Sequence, residues 1–159
     1  MLWLQLILYC LVFTGMVCYA VRGGAVDGLY FYPKAVQERA VAIGLTDAAT
    51  IAKKRKQFMP LFFGVMLAAL VGIIALWDGV RDFRGAYWRA LLFLEVMNWY
   101  DGIVIDRLWV GHSRFWVLPG TEDLPFVQTW AQVLRKRAIL TLVWIVGAAI
   151  VAGLIVLLF

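Results

Sequence analysis

The sequence predicts an all-α integral membrane protein, a four-helix transmembrane bundle with interfacial helices in two cytoplasmic connections. Three observations carry this reading. The 159 residues are 64% hydrophobic and 16% charged, with a mean hydropathy of +0.85, too apolar for a soluble domain and too short for more than one. Four apolar stretches, at about 2–21, 58–77, 86–105 and 138–159, reach the roughly 20 residues needed to cross a hydrocarbon core of about 30 Å. The stretches are continuous rather than alternating, and lipid offers a backbone amide no partner, so each reads as a helix and not a barrel strand. The chain is then a single domain, 1–159, with connections at 22–57 and 106–137.

The first stretch, opening "MLWLQLILYC", lacks a basic n-region and a small-x-small cleavage site before Arg22, so it reads as a retained span and not a signal peptide. Its two cysteines, Cys10 and Cys18, are separated by about 12 Å of helical rise, too far for a disulfide, and are expected to pack as small hydrophobes. The absence of a CxxC argues against a quinone-linked thiol oxidoreductase.

In the first connection, "PKAVQERAVAIGLTDAATIAKKRKQF" predicts two helical pieces broken at Gly44, with Thr46 capping the second. Ala40, Val41, Ile43 and Leu45 are expected against lipid, with Glu38 and Arg39 facing water. "KKRK" at 53–56 reads as a translocation stop and an anchor to anionic lipid. The second span is uncharged and repeats small residues at Gly64, Ala68 and Gly72. Ala149 and Gly153 repeat the device in the fourth span, surfaces that let another helix approach, within the bundle or in a homo-oligomer. In the third connection, "RLWVGHSRFWVL" predicts a hairpin at headgroup level. Pro119 and Gly120 mark a turn, and Thr121 is expected to cap a helix holding "FVQTWAQVLRKR". Trp109, Trp116 and Trp130 suit an interface.

Topology follows from the cations. The two long connections carry twelve Lys and Arg against three in the short one, which puts the long connections in the cytoplasm and both termini outside, in a bacterial inner membrane. The net charge of +5 expresses this bias and implies no nucleic-acid partner. The partners expected are membrane lipids, a second copy or a larger membrane complex.

The third span raises the functional question. Glu95 lies about 13 Å in from Ala86, near the midplane, and Asp101 about 22 Å in, with Asp106 at the cytoplasmic edge. Glu95, Asn98, Gly102 and Asp106 fall in one stripe about 80° wide, while Asp101 projects to the side. A charge at the bilayer centre costs about 2.5–3.5 kcal/mol, so Glu95 should face the bundle interior and bond Gln5, Tyr9, Thr14 or Thr141. His112 is the single histidine. With Glu95, Asp101 and Asp106 its spacings match no compact ligand motif; Asp101, Asp106 and His112 alone would be an easier geometry, but no metal or cofactor is expected, and Ser113 beside it lacks any nucleophile context.

"YDGIVIDRLW" followed by "VLPGTED" resembles a group of small bacterial four-span membrane proteins with a D-x-x-V-I-D and P-G-T-E signature, over residues 98–123. In that pattern an aromatic follows the second aspartate directly, whereas here Arg107 and Leu108 precede Trp109. The resemblance implies that Asp101, Asp106, Pro119, Gly120, Thr121 and Glu122 form one unit, and it implies no activity.

The expected function is a polar intramembrane pocket for a lipid or other amphiphile, lined by Glu95, Asn98, Asp101, Asp106, Arg107, His112 and Arg114. In an enzyme Asp101 or His112 would be the general base. Two alternatives stand beside it: a proton- or cation-coupled transporter or channel using Glu95 and Asp101, and a non-catalytic assembly subunit.

Overall fold

A computed structural model describes residues 1–159. All regular structure is helical. Helix α1 spans Leu2–Ala20, α2 Lys34–Ala42, α3 Ala48–Trp77 and α5 Trp130–Leu158. Helix α4 is α-helical over Phe83–Tyr100 and continues in the wider π form over Asp101–Val110. A 3₁₀ turn at Ala25–Phe31 follows α1, and another at Arg114–Trp116 follows α4.

Three of these helices, α1, α3 and α5, are long and apolar enough to cross a membrane. Their outer faces are apolar too: Ile7, Leu11, Phe63, Leu142, Val146 and Ile150 all stand exposed. The fourth expected span, 86–105, is helical but different in kind. Between 83 and 110 it carries Arg84, Arg89, Glu95, Asp101, Asp106 and Arg107. It also presents the buried face Ala86, Ala90, Phe93, Leu94, Met97 and Asn98 to its neighbours. Its small residues Ala86 and Ala90 admit close packing, and Phe93 meets Tyr9 of α1 edge-on at 5.6 Å.

Several local expectations are corrected. Gly44 does break the first connection, with φ of +78°, but the second helical piece is continuous with the second span. Helix α3 therefore starts ten residues before the expected 58. Its cap is Asp47 and not Thr46, because the Asp47 carboxylate accepts from the Thr50 amide at 2.8 Å and the Thr50 hydroxyl at 2.7 Å. Ala40 is 0% exposed, turned into the protein and not toward lipid, since the short α2 packs down on the bundle end. Gly64, Ala68 and Gly72 do not mediate contacts inside the chain: a Cβ at Gly64 or Gly72 would meet nothing within 4 Å. Cys10 is buried as expected of a packing residue, and Cys18 is exposed.

In the third connection the expected hairpin is absent, because α4 carries on through Val110. Thr121 caps no helix, its hydroxyl donating instead to the Leu118 carbonyl at 2.9 Å. The cap falls at Thr129, whose hydroxyl and the Gln132 side chain satisfy each other's backbone N–H groups. The two long connections meet at one end of the bundle. The Tyr32 hydroxyl donates to the Trp116 carbonyl at 2.8 Å, and Arg39 reaches Asp123 at 3.3 Å. Burial pushes the Tyr32 hydroxyl well above the ordinary phenol range, so it remains a neutral donor. At the opposite end Gln5 of α1 and Arg89 of α4 both donate to Asp78, at 2.6 and 2.8 Å.

Candidate functional site

A polar centre lies between α4 and α5, organised by Arg137. This residue stands seven positions into α5, about 10 Å along its axis, and is 1% exposed. Its stem crosses Gly102, where a Cβ would stand 2.7 Å from Nε and 3.2 Å from Cγ. Only glycine leaves room for the crossing. Arg137 Nη1 donates to the Asn98 carbonyl at 3.1 Å, to Asn98 Oδ1 at 3.4 Å and to Asp101 Oδ2 at 2.7 Å. Nη2 donates to Asp106 Oδ2 at 2.6 Å. Asn98 Nδ2 returns a bond to the Arg137 carbonyl at 3.2 Å, so the two helices are stitched in both directions. Taking three charges out of water is costly, and these short charge-assisted bonds offset the cost.

The π form of α4 is what lets one guanidinium hold both carboxylates. In an α-helix residues five apart point about 140° away from one another. Hydrogen bonding from i to i+5 winds the chain more loosely and brings such residues onto one face, and Asp101 and Asp106 are five apart. The expectation that Asp101 projects to the side is thereby corrected: α-helical spacing was the wrong ruler for this segment.

Lys136, the next residue back on α5, adds a bond to Asp106 at 3.3 Å from a half-exposed position. Farther along α4, Glu95 Oε2 accepts from the Thr141 hydroxyl at 2.8 Å and from Asn98 Nδ2 at 3.5 Å. Its other oxygen is buried without a partner. Of the four partners expected for Glu95, Thr141 is the one reached. Gln5 serves Asp78 and Thr14 pairs with the Tyr100 hydroxyl.

Beside this network opens a cavity of about 330 Å³. Asn98, Asp101, Asp106, Lys136 and Arg137 form its polar side, and Phe13, Val17, Phe58, Phe62, Met97 and Trp144 are among its apolar walls. Its formal charges balance, two carboxylates against two cations.

Of the residues expected at the site, Asn98, Asp101 and Asp106 come together on the cavity, and Glu95 joins through Asn98 without lining it. Arg107, His112 and Arg114 do not. Arg107 turns away to donate to the Gln128 carbonyl at 2.7 Å and to stack on Trp130 at 4.8 Å, tying the end of α4 to the start of α5. His112 Nδ1 donates to the carbonyls of Arg107 and Leu108, capping the helix end. Arg114 is exposed beyond it. No three metal-ligating side chains converge. Asp101 and His112, the candidate bases, are not brought together. Pro119, Gly120, Thr121 and Glu122 form their own turn, in which Glu122 accepts from the Gly120 amide at 3.0 Å.

Arg137 and Lys136 are the site residues that sequence reasoning counted only as topology. A signal was present: Arg137 is the cation directly abutting the last apolar run, and a helix that buries carboxylates needs a cation facing them. Comparison with protein-family models, curated proteins and solved structures finds no match to this chain.

Proposed function

We propose that the chain is a four-span protein of a bacterial inner membrane that binds an amphiphile in the cavity between α1, α3, α4 and α5. On this reading both long connections, which share one bundle end and hold most of the Lys and Arg, lie in the cytoplasm with both termini outside. Helix α4 is the fourth span, tolerated in lipid because its charged groups turn to protein partners: Arg89 to Asp78, Glu95 to Thr141 and Asp101 to Arg137. The observation carrying the functional reading is a single hollow with aromatic and aliphatic walls on one side and a charge-balanced polar cluster on the other. At about 330 Å³ it falls at the small end of ligand pockets, which run from about 300 to 1,000 Å³. The occupant is therefore a compact amphiphile, or one chain and the head of a larger one. A head that both donates and accepts hydrogen bonds matches the free carboxylate oxygens and Lys136.

Native mass spectrometry of the detergent-purified chain tests this. An amphiphile should co-purify at a fixed stoichiometry and be lost from Leu140→Trp, which fills the cavity from its wall while leaving the ion network alone. A chain that emerges empty from several gentle detergents, or a filled variant that keeps the adduct, removes the reading.

A second reading, coupled movement of protons or cations, is favoured by one observation: Thr141, Glu95, Asn98, Arg137 and Asp106 form a continuous hydrogen-bonded line between the two helices. It requires ion-dependent flux in proteoliposomes that Glu95→Gln abolishes.

A further inference from the structure

A second hollow, larger than the central cavity, is a groove of about 930 Å³ between α2 and the start of α3. It is separate from the polar centre. Three cations line it: Lys34 of α2, with Arg55 and Lys56 of α3. None of them takes part in an ion pair. The acid facing them is Glu38, which leaves the groove with a formal charge of +2. The fold thus divides the "KKRK" run by role. Lys54 is spent on Asp27, Lys53 lies outside the groove, and Arg55 and Lys56 are turned into it.

The groove is also graded along its length. Arg55, Met59 and Phe63 follow one another at four-residue steps, so they stack along a single face of α3, charge at the connection end and apolar groups toward the spanning end. Ile51, one turn before Arg55, and Val41 of α2 add apolar surface beside the cations. Pro60, also on this wall, has no N–H to give the Lys56 carbonyl, so the regular helical bond to that acceptor is missing beside the cations. Clustered cations next to an apolar track that runs into a membrane-length helix match the order of groups in a bilayer lipid, phosphate first and acyl chain after. A free anion would have no use for the track.

We propose that this groove is a binding site for an anionic phospholipid, its phosphate held by Lys34, Arg55 and Lys56 and one acyl chain lying along Met59 and Phe63. The Lys56 carbonyl and Glu38 accept from hydroxyl groups of the head. The site stands independently of the amphiphile cavity.

The test is a lipid titration of the detergent-purified full chain by native mass spectrometry, using phosphatidylglycerol and phosphatidylcholine of identical acyl chains. Phosphatidylglycerol should bind preferentially. Each neutralised cation should weaken it about fivefold, so that Lys34→Gln/Arg55→Gln/Lys56→Gln loses on the order of a hundredfold. The control Lys53→Gln/Arg114→Gln/Arg135→Gln, equal in charge but outside the groove, should stay within about twofold of the parent. Ala52→Trp, which fills the groove without changing charge, should also lose the lipid. Equal weakening in both triple variants reduces the effect to a diffuse field and overturns the site, as does undiminished binding in the groove triple. Displacement of the lipid by millimolar inorganic phosphate would overturn the lipid assignment. Leu140→Trp should leave phosphatidylglycerol binding intact, which separates this site from the central cavity.

Discussion

Replacing Arg137 by Met removes one charge, strands Asp101 and leaves Asp106 with Lys136 alone at 3.3 Å. Arg137 is 1% exposed, and the side chains of Asp101 and Asp106 are 23% and 19% exposed. The carboxylates would lose bonds of 2.7 and 2.6 Å, and Asn98 would lose those to its carbonyl and its side-chain oxygen. Breaking a buried pair by deleting one partner costs about 3–5 kcal/mol. Because both carboxylates keep some access to water, the lower end applies, about 3 kcal/mol. For a chain of this size that corresponds to a fall in Tm of about 6–12 °C. Thermal unfolding followed by circular dichroism in one fixed detergent measures it. The decisive arm repeats the substitution in an Asp101→Asn/Asp106→Asn background, where no charge is left stranded. There the same change should cost less than about 1.5 kcal/mol, since Arg137 has already lost both carboxylates and the methionine removes an unpaired buried charge. If Arg137→Met lowers Tm equally in both backgrounds, the ion network contributes nothing specific and Arg137 is merely filling space.

Three further outcomes follow from local geometry. Gly102→Ala places a methyl 2.7 Å from Arg137 Nε and should shift the guanidinium off Asp101, costing about 1–3 kcal/mol as overpacking does; a Tm within 1 °C of the parent would contradict the crossing geometry. Gly120, at φ +79°, forces a left-handed residue into the turn, so Gly120→Ala should cost about 1–2 kcal/mol by chemical denaturation, while Gly64→Ala, with open space around it, should cost nothing measurable. Asp47 is held below the ordinary carboxylate range, first by the Thr50 hydroxyl and then by the Thr50 amide. A depressed acid stabilises above its unfolded value and loses that contribution as pH falls through the folded one. The start of α3 should therefore be indifferent to pH from about 5 upward and fray below about 4, with Thr50→Val moving the carboxyl titration seen by NMR back toward about 3.9.

Much of the architecture was legible in one dimension because burying apolar surface needs only composition and run length. The stretches at 2–21 and 138–159 fall within a few residues of α1 and the body of α5. Gly44 broke the chain where expected because a positive φ is a property of one residue. The starts of α3 and α5 were displaced because hydropathy marks where lipid begins, not where helical hydrogen bonding begins. The interior face of the charged helix was also legible: Asn98, Asp101 and Asp106 were expected at the site and line the cavity. Arg107, His112 and Arg114 were expected there too, but a helix that continues past Val110 carries the first two away around its end.

The sequence by itself determined an apolar, helical, membrane-compatible chain whose one heavily charged helix needs protein around it, because the cost of polar groups in oil is paid residue by residue. Only the tertiary structure decided which partners meet that need. Arg137 lies 36 positions from Asp101 and 31 from Asp106, and its pairing depends on a glycine that admits its stem and on a π segment that aligns two carboxylates. Those are properties of two helices in contact, and no periodicity along either one encodes them.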